Sequence, residues 1–345
     1  MTILFCGKFN PLYNRTRIII KGLEKTGIEV LVYAWNRKKH INKAELKNLL
    51  SKADVVFLPS FTHADLPFVR RLTQKPILFD PLISRYLSKV FDYKTISKYS
   101  PRAYKNFLKD SRSLNAANLI ISDTLAHKNY YVDKFGIDPK KIKVVPVGVI
   151  SEDFFPVQIK RKLTTKLTVG FYGSFIPLHG VDILVKAAEI LKDDTDIQFR
   201  LIGEGVLMKK ILTLVGERQL TNIEFTGWIE YGDLNEEINK FDIALGIFGS
   251  SLKAKMVIPN KIFHYAACEK AIISMESDGI REVFTDNKNI ILTKNTPKDL
   301  ASAIIRLKDN TLRQRISAEC RTLVKENYNE IKIARSIMDF ISDHL

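Results

Sequence analysis

Three stretches of the chain combine residue types that can hold an anion. In "FYGSFIPLHG", residues 171–180, an apolar run stops at Gly173-Ser174, and a helical pattern begins at Val181. Gly173 permits unusual backbone angles and close approach of a ligand. Ser174 offers a hydroxyl and an N–H. His179-Gly180 stand just before the helix, whose first N–H groups carry a partial positive charge. The set suits a phosphate, although every strand-to-helix turn shares part of it. "LIGEG", 201–205, is a second such turn, and Glu204 argues against a phosphate directly there.

In "VIPNKIFHYAACEKAIIS", 257–274, Pro259 leads into a helix from about Asn260. Lys261 then falls in the first turn, where a cation opposes the helix dipole unless an anion is present. His264 follows at i+3 on nearly the same face. Alone it is more simply an ordinary helix histidine. In "CGKFNPLYNRTRIIIKG", 6–22, a loop from Gly7 enters a helix near Thr16. Arg15 and Arg17 there could bind an anion, or be solvated arginines of an ordinary loop. The loop is not the G-x-G-x-x-G fingerprint, which disfavours a nicotinamide dehydrogenase.

The elements that must position these residues follow one rhythm. Apolar runs stand at 2–6, 29–34, 54–58, 76–79, 118–122 and 142–147, then at 167–173, 197–203, 222–227, 242–248, 270–275 and 289–293. Most are continuously apolar, the mark of parallel strands buried on both faces. Helical patterns fill the gaps, and three helical stretches end the chain from Pro297. The rhythm breaks once, at the polar, basic "GVISEDFFPVQIKRKLTTK", 148–166, which reads as an interdomain linker. The expectation is α/β: two doubly wound, Rossmann-like domains, with the cleft between them as the default site.

The 345 residues carry a net charge of +16, unevenly divided. Residues 1–165 hold 30 Lys+Arg against 13 Asp+Glu, and residues 166–345 hold 24 against 25. The basic half suits an anionic membrane, a polyanionic acceptor or a nucleic acid, or reflects a lysine-rich proteome. Nucleic acid is disfavoured, because no recognised module or interleaved aromatic motif is present. Cys6, Cys268 and Cys320 show neither paired nor metal-like spacing, as in a reduced compartment. No run approaches the ~20 apolar residues of a membrane span, and "ILFC" is too short for a signal peptide. A soluble, cytoplasmic chain is expected, peripheral at the inner membrane face.

Taken in order, "KVVPVGVISEDFFP", "VGFYGSFIPLHGVDILVKAAEIL", "FRLIGEG", "IEFTGWIEYGDLNEEINKFDIAL", "PNKIFHYAACEKAIISMESDGIREVF" and "ENYNEIKIARSIMDFI" resemble the retaining glycosyltransferases of family 4, which have the GT-B fold. The resemblance runs over most of the chain. It implies an acceptor-side domain at 1–155, a donor-side domain at 156–328, and a last helix, 329–345, that crosses back to the first. It implies a UDP- or GDP-linked sugar donor and a glycan or lipid-linked acceptor.

The family pattern at the first stretch is Gly-Arg followed by Lys-Gly, two cations that clamp the diphosphate. Here the positions read Gly173-Ser174 and His179-Gly180, so both fixed charges are replaced. The family's two glutamates eight residues apart read Met256 and His264. By resemblance His264 accepts from the donor ribose through a neutral ring nitrogen, and Lys261, beside Asn260, supplies the phosphate charge. The backbone near Trp228 and Ile229 receives the base. Gly279, Ile280 and Glu282 meet the sugar hydroxyls, unless they form a simple helix start. Asp80 is the first-domain candidate for touching the donor sugar, or else caps the stretch after Pro81. The family proposal needs no protein nucleophile: charge stabilises the leaving diphosphate, which itself deprotonates the acceptor. The only Asp-x-Asp, Asp194-Thr195-Asp196, reads as solvated, and no essential metal is expected.

An active transferase building a surface glycan or glycolipid is the leading expectation. A binding homologue without catalysis, acting as a partner subunit, is the alternative that Ser174, His179 and Met256 raise.

Overall fold

Twelve strands form at the twelve apolar runs, among the residues described by the computed structural model: 1–36, 41–159 and 166–344. The chain divides into two compact units, Met1–Gly148 with Asn329–Leu345, and Val149–Tyr328. Each is built on one parallel six-stranded sheet.

The first sheet contains β1 (Thr2–Gly7), β2 (Glu29–Ala34), β3 (Val55–Leu58), β4 (Ile77–Phe79), β5 (Leu119–Ser122) and β6 (Ile142–Val144), in the order β2-β1-β3-β4-β5-β6. β3 and β5 are buried at every position, which is why their sequences are apolar throughout but for Ser122. Edge strand β2 mixes half-buried and exposed residues and has no fully buried one. Leu4, Val56, Phe79 and Ile120 pack with Trp35, Leu46 and Tyr131 in one of the apolar layers. The helix Asn14–Lys25 lies against the last helix, Glu330–Ser342. Gly22 makes that approach possible, since a Cβ there would run into the Glu330 carbonyl.

The second sheet contains β7 (Leu167–Tyr172), β8 (Ile197–Ile202), β9 (Ile223–Gly227), β10 (Ile243–Leu245), β11 (Ala271–Met275) and β12 (Ile291–Thr293). Its order, β12-β11-β10-β7-β8-β9, reverses direction between β7 and β10. In open α/β sheets ligands sit outside the carboxyl ends of strands at such a switch point. Val169, Phe171, Phe199 and Leu245 pack against Leu184, Ala188, Leu300 and Ile304 of flanking helices.

Of the stretch 148–166, residues 160–165 lie outside the described residues, as does Leu345. The described part is fastened to the second unit. Asn235 Oδ1 accepts from the Phe155 N–H at 3.0 Å, and Asn239 Oδ1 from the Val157 N–H at 2.9 Å. The Tyr231 hydroxyl donates to Asp153 at 3.1 Å. A stretch polar and aperiodic in sequence is thus held by side-chain hydrogen bonds in place of a ladder. No helix of the described residues is long and apolar enough to cross a membrane.

Candidate functional site

Three strands of the second sheet end in a glycine with positive φ: Gly173 after β7, Gly203 after β8 and Gly227 closing β9. Their backbones are stitched together, the Gly173 N–H donating to Ile202 O at 2.9 Å and the Gly203 N–H to Gly227 O at 2.8 Å. The loop after β10 joins them, the Phe248 N–H donating to His179 O at 3.0 Å. The turns at 173–180 and 201–205 and the Trp228 segment therefore share one edge of the sheet, beside the switch point.

Lys261 reaches this edge from the helix Asn260–Ala267. It is 4 % exposed, and among the described residues its Nζ has no hydrogen-bond partner. The ammonium lies 3.8 Å from the centroid of the Phe171 ring. A Cβ on Gly173 would sit 2.6 Å from Nζ and would displace the lysine end, while the φ of 144° is what favours glycine here. Burial pushes the Lys261 amine well below its ordinary range. His179 is also buried, with Nδ1 against the Ser174 carbonyl. Burial first, then the charge of Lys261, hold its imidazole well below its usual pKa. Lys253, 6 % exposed, adds a second cation that acts on His179. The two helices that begin here, Val181–Ile190 and Asn260–Ala267, have Gly180 and Pro259 at their N-caps, with no side-chain cap. Buried cation, free helix N–H groups and a glycine turn form a site that can neutralise an anion.

His264 is packed into this unit, 2 % exposed, its ring 3.8 Å from that of Phe154 and nearly parallel to it. Nδ1 lies 2.6 Å from the Tyr172 hydroxyl, and Nε2 has no partner. Burial lowers its pKa to about 3, so the ring is neutral. Phe154, 110 positions away in the chain, is a neighbour that sequence reading missed. Lys253 is another: a lysine in "SSLKAKM" gives no local sign of burial.

The other second-unit candidates are more dispersed. Trp228 is 67 % exposed, its Nε1 donating to Glu230 at 3.3 Å, and Ile229 is half-buried. Gly279 is packed against the backbone of Met256 and Val257, which brings the short helix Asp278–Arg281 to the start of the Lys261 loop. The Ile280 N–H is taken by Ser277 Oγ at 3.3 Å, and the Glu282 N–H by Gly279 O at 3.2 Å. These are the bonds of a helix start, and Glu282 itself is exposed. Asp194 pairs with Lys308 at 2.8 Å. Among the described residues no group of three His, Cys, Asp or Glu could hold a metal ion.

In the first unit Arg15 and Asp80, read separately from sequence, form one ion pair. Arg15 Nε lies 2.6 Å from Asp80 Oδ2, and both side chains are 1 % exposed. Arg15 Nη2 donates to Val145 O at 3.1 Å, while Nη1 has no partner. The arginine is therefore not a solvated loop residue. Burial raises the Asp80 carboxyl against the pull of Arg15, and Asp123 adds a like charge. Asp80 caps no helix; its Oδ1 accepts from the Leu82 N–H at 3.0 Å. Arg17 lies on the same helix. The Gly7 turn is filled from within, as a Cβ there would meet Thr62 Cγ2 at 2.6 Å. Beside this cluster His127, fully buried, places Nδ1 2.7 Å from Asp123. That Asp-x-x-x-His spacing at a helix start was the available, overlooked signal.

Residues 166–310 match the family model described as "Glycosyl transferases group 1". A glycosyltransferase of Methanocaldococcus jannaschii is 27% identical over 221 residues, covering 62% of this chain and 55% of that protein. A second from the same organism is 31% identical over 148 residues, 41% of this chain and 38% of its own. The chain thus spans about half the length, or less, of these curated relatives. Among solved structures, HepE of Anabaena, determined with UDP and glucose, superposes with a TM-score of 0.74 at 16% identity, covering 99% of this chain and all of its own. Sucrose-phosphate synthase from Thermosynechococcus elongatus gives 0.79 at 15% identity, covering 99% and 98%. At such identity these likenesses establish the fold, two Rossmann-like units of GT-B type. The stretch 166–310, which matches the group 1 glycosyl transferase model, carries Gly173, His179, Lys253 and Lys261.

Proposed function

We propose that the chain is a retaining glycosyltransferase that moves a sugar from a nucleotide-sugar, UDP- or GDP-linked, to a glycan or lipid-linked acceptor at the cytoplasmic membrane face. One observation carries the reading: a buried lysine with no hydrogen-bond partner, beside a glycine turn and uncapped helix starts. An unpaired buried cation is costly, and a diphosphate would supply the missing charge. The family match over the same residues and the UDP in the HepE structure favour that anion. The second unit is the donor side and the basic first unit the acceptor side. Lys261, with Lys253 behind His179, stabilises the diphosphate as the glycosidic bond breaks. The departing phosphate oxygen takes the acceptor proton on the same face of the sugar. Trp228 and Ile229 border the base, and His264, neutral, reaches the ribose through Nε2. No step requires a metal.

The test is calorimetry with UDP, GDP and their sugars. At least one should bind the native chain, and Lys261→Ala should weaken it at least about 30-fold, the loss of a charge-assisted bond worth roughly 2 kcal/mol. Weak, equal binding of every ligand to both forms would remove the site assignment. His179 is held neutral, which leaves the turn itself without fixed charge and favours a second reading: a binding-only homologue acting as a partner subunit. Release of nucleoside diphosphate in the presence of acceptor decides between them, since any turnover eliminates the second.

A further inference from the structure

The helix Asn260–Ala267 buries two polar side chains one turn apart, Lys261 and His264. Among the described residues neither Lys261 Nζ nor His264 Nε2 has a hydrogen-bond partner. What each offers a ligand depends on its protons. The Lys261 ammonium can only donate. For His264 the answer lies at its other nitrogen. Nδ1 is 2.6 Å from the Tyr172 hydroxyl, and the two rings are parallel to within 7°, with centroids 5.9 Å apart. The hydroxyl thus meets the edge of the imidazole, where an unprotonated nitrogen carries its lone pair. Burial keeps the ring neutral and the phenol protonated, so the pair holds one imidazole proton and one phenol proton. Were the imidazole proton on Nδ1 and donated to the phenol oxygen, the phenol proton would have no acceptor. Among the described residues the Tyr172 hydroxyl has no second partner. With the phenol donating to Nδ1, the bond joins the better donor to the better acceptor, and the ring's own proton stands on Nε2.

We infer that Tyr172 fixes His264 with its proton on Nε2, and that His264 donates this N–H to an acceptor oxygen of the nucleotide's ribose. The inference rests on the site reading proposed above, and it reverses the polarity that the resemblance implies, in which this position accepts. A donor buried without an acceptor is costly, and the ribose oxygen removes that cost. The ring of Phe154, at 3.8 Å, and that of Tyr231, edge-on at 6.4 Å, hold the imidazole in place. With Lys261 at i–3, the helix offers a ligand two donors. A nucleoside diphosphate brings oxygens to both, phosphate to the ammonium and ribose to the imidazole. Tyr172 is then a positioning residue. His264 reads an oxygen and makes no use of the ribose hydroxyl's hydrogen.

Long-range proton–nitrogen spectra of the full chain, labelled with nitrogen-15 on histidine, test it. The chain has six histidines, and His264→Gln identifies the signal. The free chain should show a bare, pyridine-like Nδ1 and a protonated Nε2, and Tyr172→Phe should give a mixture of the two tautomers. Adding UDP, or GDP where UDP does not bind, should keep the proton on Nε2 and move its resonance downfield. In calorimetry with the same nucleotide His264→Phe should weaken binding about tenfold, the loss of one hydrogen bond, and Tyr172→Phe by a smaller factor. Both variants keep an aromatic ring, and circular dichroism establishes that they are folded; if either is not, the native spectra still decide. A proton on Nδ1, in the free chain or after the nucleotide binds, overturns the inference. So does a nucleotide that binds and leaves the Nε2 proton's resonance unmoved. Failure of both nucleotides to bind removes the site reading and the ribose contact with it, while the tautomer in the free chain stands or falls separately.

Discussion

Lys261 and Phe171 form a cation–π pair at 3.8 Å inside the second unit, and among the described residues Nζ has no hydrogen-bond partner. An aromatic face offsets only part of what burial costs a charge. The lysine therefore destabilises the empty protein, as expected of a residue kept for a ligand.

Lys261→Met should accordingly raise the melting temperature of the second unit while removing nucleoside diphosphate binding. The lysine's folded pKa lies below its unfolded value of about 10.4. Its penalty is absent above that pH and grows as pH falls towards the folded pKa. The gap in melting temperature between variant and native chain should be largest near neutrality and close as pH approaches 10. Calorimetric scans across that range check both the sign and the window.

A diphosphate entering the site would restore the charged form of Lys261. Where the empty amine is partly deprotonated, binding should draw a proton from the medium. Titrations in buffers of different ionisation enthalpy should then give different apparent heats, and Lys261→Met should remove the difference. Identical heats in every buffer, with tight binding, would place the anion away from Lys261.

Gly173→Ala is strained by a φ of 144°, and its Cβ, 2.6 Å from Nζ, would push the Lys261 amine aside. The expected outcome is a loss of at least about 1–3 kcal/mol of stability in the second unit, with donor binding lost as well. Alanine at Gly216, where nothing lies within 4 Å of the added carbon, is the control and should be neutral or stabilising.

Arg15→Leu or Asp80→Asn should each destabilise the first unit by about 3–5 kcal/mol, because one buried partner loses its counter-charge. Replacing both by apolar residues of similar volume should recover much of that loss. If Asp80 also touches the donor sugar, the double variant will be folded yet inactive. If the pair only holds β4 to the helix Asn14–Lys25, activity will return with stability.

The strands were legible because a strand buried on both faces must be apolar throughout, and helix starts because caps and dipoles act within one turn. Lys261 was readable for the same reason: a cation in a first turn breaks a local rule. Phe154 against His264, Arg15 on Asp80 and Lys253 near His179 were not readable. They join segments 110, 65 and 74 positions apart, and no periodicity records which distant elements meet. The chain's residue pattern alone specified two wound units and the glycine turns that end their strands. Strand order, with the packing it imposes, decided which side chains are buried together: Arg15 is paired with Asp80, while among the described residues Lys261 Nζ is buried without a hydrogen-bond partner.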